Sequence, residues 1–233
     1  MDEISLVKKA AADKAVEFVK DGMVVGLGTG STAEFAIKRL GERVSEGLKI
    51  KGVPSSVAIH KLAEEAGIDV ISYEHFLKEK IEIDLDIDGA DRVDPEFNLI
   101  KGGGGAHVRE KVVANASKLF YVVVDETKMV GHLAGSFPIA VEVWRDHADE
   151  VMEKLGRYGD VHYHKKDGKV FISDNSNYIL DVSLRVGEPI TGLEVDLDSI
   201  PGVVDNGLFT LRKPDRVFVG YFDGRVETLE RHQ

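Results

Sequence analysis

The chain has 233 residues, 43% of them hydrophobic and 30% charged, which is an ordinary composition for a globular protein with a buried core. The formal net charge of −11 excludes nucleic acid as an expected partner, so an anionic ligand would need local donors. The absence of cysteine excludes disulfides, thiolate metal sites and cysteine nucleophiles, and it fits a reducing compartment. The sequence also lacks a signal peptide and an apolar run of the roughly 18 residues that span a bilayer, so we expect a soluble protein without a membrane partner.

The first two thirds of the chain alternate helical and strand patterns. This alternation predicts an open, mostly parallel sheet with helices on both faces, which is a Rossmann-like α/β fold. The predicted helices span residues 4–19, 33–44, 57–66 and 106–117. The predicted strands span residues 23–27, 48–53, 68–71, 81–87 and 119–124.

After about residue 131 the pattern changes to short strands around single helices. Predicted strands at 139–143, 161–163, 170–173 and 178–182, a helix at 148–158 and a short helix before Pro201 indicate a smaller α+β domain. This order is typical of the split βαβ, ferredoxin-like arrangement. The tail predicts a hairpin of strands 217–221 and 226–229 that turns at Asp223-Gly224. We therefore predict a catalytic α/β domain at 1–130 and 205–233 and an α+β domain at 131–204.

The glycine-rich segment at 26–32 lies between a predicted strand and a predicted helix. Amides at a helix N-terminus, with the hydroxyls of Thr29, Ser31 and Thr32, could hold a phosphate, and a tight structural turn is the alternative. A Walker A loop is excluded because no lysine follows Gly30. A dinucleotide fingerprint is excluded because the third glycine is missing and no acid ends the next strand. The loop suits a monophosphate.

Alternating aspartates mark the strand at 81–87 and the residues that follow it. Asp84, Asp86 and Asp88 share one strand face, and a calcium loop is excluded because Pro95 occupies the position of its last ligand. A solvated strand face remains the alternative for Asp84 and Asp86. Asp88 and Asp91 end the strand, where open α/β sheets place their chemistry.

Lys101 precedes four consecutive glycines, which a purely structural turn would rarely use. The glycines could line a pocket with amides, Lys101 could hold an oxyanion, and Glu110 on the next helix could act as a base. The alternatives are that Glu110 is solvated or pairs with a helix neighbour such as Lys111 or Lys118. Lys128 also ends a strand, although a lone lysine is more often a surface residue.

Taken together and in order, these motifs resemble the ribose-5-phosphate isomerase A family. The matching segments cover nearly the whole chain: GLGTGSTA at 26–33, DIDGAD at 86–91, IKGGGGAHVREK at 100–111, VVVDETK at 122–128, SDNSNYILD at 173–181 and IPGVVDNGLF at 200–209. The sequence differs from the family where Ser176 replaces a common glycine, which leaves the turn conformation open, and where Arg92 replaces a common acid.

The resemblance implies interconversion of D-ribose 5-phosphate and D-ribulose 5-phosphate through an enediol(ate), within the pentose phosphate pathway. It implies Glu110 as proton acceptor, Lys101 as oxyanion stabiliser, and Asp88 and Asp91 as groups that move hydroxyl protons. It implies that Asp88, Asp91 and Lys101 also line the sugar. It implies further substrate contacts from Lys8, Thr29, Gly30, Ser31, Thr32, Gly89, Ala90, Gly102, Gly103, Gly104 and Lys128.

The same resemblance implies a cytoplasmic homo-oligomer, either a dimer or a tetramer, that binds a sugar phosphate and needs no cofactor. No metal is expected, and His162 and His164 are expected at the surface rather than as a ligand pair. Two alternatives stay open. One is a non-catalytic sugar-phosphate sensor, which would have no need of Lys101 and Glu110 together, and the other is an isomerase of a different sugar phosphate.

Overall fold

The computed structural model describes residues 1–231 of the chain. These residues divide into two compact units. The first unit contains residues 1–90, 109–128 and those from 214 onward, and the second contains 91–108 and 129–213. Within residues 1–231, no helix is both long enough and apolar enough to cross a membrane.

Helices and strands alternate through most of the described chain. The helices are α1 (Glu3–Val16), α2 (Ala33–Ser45), α3 (Val57–Glu65), α4 (Tyr73–Glu79), α5 (His107–Asn115), α6 (Ala148–Leu155) and α7 (Leu193–Asp198). The strands are β1 (Val24–Leu27), β2 (Lys51–Pro54), β3 (Asp69–Val70), β4 (Ile83–Asp88), β5 (Arg92–Val93), β6 (Leu99–Ile100), β7 (Ser117–Asp125), β8 (Ile139–Val143), β9 (Gly159–Tyr163), β10 (Lys165–Lys166), β11 (Lys169–Val170), β12 (Tyr178–Leu184), β13 (Val203–Asn206), β14 (Leu208–Phe209), β15 (Arg216–Gly220) and β16 (Val226–Glu230).

The first unit is built on a seven-stranded sheet in the order β16-β15-β7-β4-β1-β2-β3. Neighbouring strands are parallel except β15 and β16, which form the antiparallel hairpin predicted from the sequence. The predicted, mostly parallel α/β sheet is therefore confirmed. Strand β7 is buried over 120–125, as a parallel strand covered on both faces must be.

Apolar side chains from α1 and α2 pack against the sheet of the first unit. Ala11, Ile37 and Leu40 join Leu85 and Ile87 of β4 in one buried cluster. Burying a leucine or isoleucine stabilises the fold by about 1.5–3 kcal/mol, so this periodic set holds the two helices on the sheet. It thereby fixes the ends of β1 and β4, where the conspicuous polar residues lie.

The second unit contains a four-stranded antiparallel sheet in the order β13-β8-β12-β9. Its elements follow the chain order β8, α6, β9, β12, α7, β13, which is the predicted ferredoxin-like arrangement. The hairpin of β10 and β11 is inserted between β9 and β12. Val151 and Leu197, from the two helices, are buried in the same cluster as Val141 and Leu180 of the sheet.

Two features of the second unit differ from the predicted domain boundaries and elements. Residues 91–108 belong here rather than to the first unit, because β5 and β6 pair with β14 in a three-stranded antiparallel sheet. The unit therefore extends to Lys213 rather than ending at 204. The predicted strand at 170–173 is wrong: β11 ends at Val170, and Ile172 makes only an isolated bridge to Tyr178.

Strands β1 and β4 approach each other closely at two glycines. A Cβ on Gly26 would lie 2.6 Å from Asp86 Oδ1, and one on Gly28 would lie 2.4 Å from the Cα of Asp88. Because that second neighbour is backbone, it has no rotamer that would make room. The aspartates are buried, at 0% and 1% exposure, so the solvated interpretation of Asp86 is wrong.

In the second unit, Glu142 of β8 is buried against the turn 173–177. It accepts hydrogen bonds from Asn177 Nδ2 at 2.8 Å and Asn175 Nδ2 at 3.2 Å. Burial raises the pKa of Glu142, although the bonds from Asn177, Asn175 and Ser173 oppose that rise. Ser176 in this turn has φ +66°, so it adopts the left-handed conformation that a glycine would take more easily.

We expect Gly28→Ala to lower the free energy of unfolding by about 1–3 kcal/mol, because the added methyl overlaps the backbone of Asp88. Urea denaturation measures this loss. Gly131→Ala is the matched control, since a Cβ there meets no atom of the described residues within 4 Å. Equal effects at the two positions would contradict the close approach.

We also expect the stability contribution of Glu142 to depend on pH. Its folded-state pKa lies above the unfolded value of about 4.3, so its contribution is complete below that value and is lost as pH rises through the folded pKa. The free energy of unfolding of the native chain minus that of Glu142→Gln should therefore fall as the pH rises above about 4.3, the unfolded value. Urea titrations check this, with Glu150→Gln at an exposed position as control. A difference that stayed constant or grew would refute the assignment.

Candidate active site

The glycine turn after β1 is fixed by hydrogen bonds to three neighbouring residues of the first unit. Thr29 N donates to Asp88 Oδ1 at 3.0 Å. Thr29 Oγ1 lies 2.8 Å from Ser55 Oγ and 3.0 Å from Ser56 Oγ. Ser56 also caps α3 by accepting from Ile59 N at 3.2 Å. The turn is thus held rigidly between β4 and the start of α3.

The same turn gathers donors that suit an anion. It leads into α2, whose first-turn amides and positive dipole end favour negative charge. Lys8 Nζ donates to Ser31 Oγ at 2.9 Å, which places the ammonium of α1 beside the turn. Gly30 has φ +127° and Thr32 is buried at 7% exposure. Amides, hydroxyls and one ammonium are therefore available for a phosphate group.

The carboxylate of Asp88 ends β4 next to this turn. Its Oδ1 accepts from Thr29 N and, at 2.7 Å, from Gly89 N. Gly89 and Ala90 continue the chain beyond the strand, and Ala90 is half-buried. A carboxylate oriented by two amides at a strand end can accept or return a proton. Asp84, in contrast, lies further back, where the Lys118 ammonium and the Val24 amide lower its pKa.

Helix α5 carries Glu110, whose residue exposure is 4%. The interpretation of Glu110 as a solvated helix residue is therefore wrong. The helix packs on the sheet of the first unit, because Val113 Cγ1 would lie 2.8 Å from a Cβ on Gly26. Lys118, one of the partners considered for Glu110, has its Nζ 2.9 Å from carboxylate oxygens of both Glu82 and Asp84. A buried carboxylate on a helix can serve as a base.

Lys128 ends a short 3-10 turn after β7 and is half-buried. Asp125 starts this turn by accepting from Thr127 N at 3.1 Å and from the Thr127 hydroxyl. Glu126 holds the turn from the other side by accepting from Phe222 N at 2.9 Å. The position of Lys128 is therefore set by β7 and by the loop after β15.

In the second unit, Asp91 and the glycine loop are brought together. Asp91 N donates to Ile100 O at 2.8 Å, and Asp91 Oδ2 accepts from Gly103 N at 2.8 Å. Gly105 N closes the loop by donating to Gly102 O at 2.9 Å. Gly103 and Gly104 are exposed at the surface of the unit, although the Gly103 amide is already bonded to Asp91.

Lys101 itself is buried, with 2% exposure, directly after β6. Its backbone N donates to Gly207 O at 2.8 Å, and its Nζ lies 5.6 Å from the centre of the Phe209 ring. A buried ammonium is a strong electrostatic group for an anionic oxygen. Arg92 donates to Asp91 O and covers the Phe137 ring at 5.0 Å.

Several of these neighbours were not expected from the sequence. Asp86 under the glycine turn, Ser55 beside Thr29 and Phe209 beside Lys101 all depend on which strands become neighbours. The sequence patterns had included Asp86, in the alternating aspartates, and Phe209, in the segment 200–209, but they did not predict what either residue contacts. His164 also differs from the expected surface position, since its Nδ1 lies 2.9 Å from Asp181 Oδ2 and its side chain is only 15% exposed.

No group of three or more metal-ligating side chains forms a metal site within the part of the chain that the structure describes. The predicted site residues instead offer hydroxyls, backbone amides, carboxylates and ammonium groups. Such groups can bind a phosphorylated sugar and transfer protons.

Comparison with known families supports this chemistry. The family model described as ribose 5-phosphate isomerase A (phosphoriboisomerase A) matches residues 51–224. A ribose-5-phosphate isomerase A of Cereibacter sphaeroides is 45% identical, and the match covers 97% of this chain and 87% of that protein. The protein of the same name from Methanothermobacter thermautotrophicus is 44% identical, covering 96% of this chain and 98% of that one.

Solved structures agree with the sequence matches. Ribose 5-phosphate isomerase A from Methanocaldococcus jannaschii superimposes with a TM-score of 0.88 at 40% identity, covering 97% of this chain and 98% of that chain. A D-ribose-5-phosphate isomerase in complex with phospho-erythronic acid gives a TM-score of 0.91 at 38% identity, covering 99% and 100%. This chain therefore belongs to the ribose-5-phosphate isomerase A family.

Proposed function

We propose that this chain interconverts D-ribose 5-phosphate and D-ribulose 5-phosphate through an enediol(ate) intermediate. The observation that carries the proposal is the burial of two groups of opposite charge, Lys101 at 2% exposure and Glu110 at 4%. They are separated along the chain only by the glycine loop and the first turn of α5. Moving a proton between adjacent carbons requires one base and one stabiliser of negative oxygen, which these residues supply.

The phosphate end of the sugar is assigned to the glycine turn. The amides and hydroxyls at Thr29, Gly30, Ser31 and Thr32 would bind its oxygens, with the Lys8 ammonium beside Ser31. The phosphate does not react, so its binding energy serves to position the sugar carbons. That the family member with phospho-erythronic acid binds a phosphorylated sugar acid supports this class of ligand.

The proton transfer is assigned to Glu110. Its carboxylate removes the proton from C2 of the open-chain aldose, and the electron pair moves toward the C1 carbonyl oxygen. Lys101 stabilises the charge on that oxygen, an effect typically worth about 3–4 kcal/mol per donor. Protonated Glu110 then returns the proton to C1. The C2 hydroxyl proton is transferred through a carboxyl group, Asp88 or Asp91, to the anionic C1 oxygen, so that C2 becomes the ketone and C1 carries the hydroxyl.

The hydroxyl protons and the ring opening are assigned to Asp88 and Asp91. The aldose exists mostly as a closed furanose, so a carboxyl group must move a proton between the ring oxygen and the C1 hydroxyl. Asp88 is oriented by two amides, and Asp91 by Gly103 N. The remaining sugar contacts are assigned to Gly89, Ala90, Gly102, Gly103, Gly104 and Lys128.

A cytoplasmic location and a homo-oligomeric state, either dimer or tetramer, complete the proposal. Both are implied by the family resemblance. Light scattering on the purified chain tests the oligomeric part, and a monomeric mass would contradict it.

The reaction is tested by mixing the purified chain with ribose 5-phosphate in deuterated water. We expect ribulose 5-phosphate to form, with solvent deuterium incorporated at the carbon that receives the hydrogen. Nuclear magnetic resonance reports both. Binding without turnover would favour a sugar-phosphate sensor, and turnover of another sugar phosphate alone would favour an isomerase of different specificity.

We expect Glu110→Gln to lower kcat by about 10²–10⁴-fold with little change in substrate affinity, because the base is lost and the shape is kept. Lys101→Ala should lower kcat by about 10²–10³-fold, since an oxyanion donor is lost. Glu65→Gln, on the exposed face of α3, is the control for removing a helix carboxylate. Near-normal turnover of Glu110→Gln would remove Glu110 from the base role.

A further inference from the structure

The strand β14 determines where Lys101 lies within the second unit. It pairs with β6 in antiparallel register, Leu208 opposite Ile100 and Phe209 opposite Leu99. The Lys101 amide continues this ladder to Gly207 O, and the Phe209 ring lies below the ammonium at 5.6 Å. A Cβ on Gly207 would lie 2.2 Å from Lys101 O, so the backbones of residues 101 and 207 are too close for any side chain at position 207.

A strand of two residues makes few hydrogen bonds to its partner strand. The segments on both sides of β14 are in addition hydrogen-bonded to α7. On one side, Asn206 Nδ2 donates to Glu194 O at 2.9 Å and to Asp198 Oδ1 at 2.7 Å, while its Oδ1 accepts from Leu208 N at 2.9 Å. On the other side, Glu194 Oε2 accepts from Thr210 N and Thr210 Oγ1, each at 2.6 Å, and from Leu211 N at 3.0 Å.

The helix that holds β14 is itself fixed in the core of the second unit. Leu193 and Leu197 are buried in the same cluster as Val141 and Leu180. Glu194 and Asn206 are buried too, at 3% and 0% exposure, so their hydrogen bonds are shielded from competing water. Displacement of β14 would break five or more of these bonds at once, and the strand is therefore stiff.

From this geometry we propose that Glu194 and Asn206 are positioning residues for Lys101, which act by clamping β14 onto α7. The inference rests on the proposed role of Lys101 in the isomerisation. An ammonium stabilises a developing oxyanion only if it is held in place before the reaction, and a shift of a fraction of an ångström weakens the effect. The clamp supplies that rigidity through the Lys101 backbone and the Phe209 ring.

The test compares variants of the full chain in steady-state kinetics with ribose 5-phosphate. Glu194→Leu removes the acceptor for three donors, and we expect kcat to fall about tenfold while KM changes less than about twofold. Glu194→Gln keeps an acceptor oxygen and should retain activity within about threefold of the native chain. Thr210→Val removes only the hydroxyl bond and should lower kcat about threefold, which provides a milder variant if Glu194→Leu does not fold.

Glu142→Leu is the matched control. Glu142 is a carboxylate of the same unit, buried at 1% exposure and also bonded by amides, but it contacts the turn 173–177. We expect it to lower stability and leave kcat unchanged when assayed well below its unfolding temperature. A loss of kcat equal to that of Glu194→Leu would show that any buried defect in the unit has this effect, and would overturn the proposal.

A double-mutant cycle distinguishes positioning from general destabilisation. In a Lys101→Ala background, Glu194→Leu or Thr210→Val should change the residual rate by less than about twofold, because there is no ammonium left to position. If the loss persists in that background, or if Glu194→Gln is as impaired as Glu194→Leu, the inference is refuted. Normal turnover of Lys101→Ala alone would refute the proposed catalytic role of Lys101 instead, so the two failures are separable.

Discussion

The approach of the glycine turn to the end of β4 is the contact on which the first unit's polar residues depend. The chain reaches Gly28 with no space for even one methyl group before the backbone of Asp88. This proximity lets the Asp88 carboxylate accept from the amides of both Thr29 and Gly89. It also places the turn next to Ser55 and Ser56, so the ends of β1, β2 and β4 and the start of α3 share one set of hydrogen bonds. A side chain at Gly28 would separate them all.

In the second unit, other contacts fix the positions of the polar residues. Its glycine loop is positioned by Asp91, and its buried lysine by the pairing of β6 with β14. Neither strand has more than two residues, so although both are buried their pairing supplies few hydrogen bonds of its own. The rigidity comes from α7 and its buried polar side chains, which transmit the stability of the ferredoxin-like core to Lys101. The resulting order suits a charge that must not reorganise during a reaction.

The sequence allowed the regular part of this molecule to be predicted. Alternating helix and strand periods predicted the parallel sheet, and the ordered motifs identified the family. Both predictions depend only on residues that are close together in the sequence. The contacts of the site were less accessible. Thr29 meets Asp88 across 59 positions of the chain, and this depends on β1 and β4 being neighbours in the sheet. Helix α4 was missed because only Phe76 of its residues is buried, which leaves no apolar period to recognise.

The first unit is assembled from three separate stretches of the chain, and the last contributes β15 beside β7. During synthesis, β7 therefore leaves the ribosome long before β15 exists, and one edge of a hydrophobic strand stays unpaired while residues 129–213 of the second unit are made. Unpaired edges of this kind are where nascent chains associate with each other or with chaperones. β15 thus completes this edge of the sheet only after residues 129–213 have been made, and a chain that stopped before β15 would leave the edge of β7 unpaired.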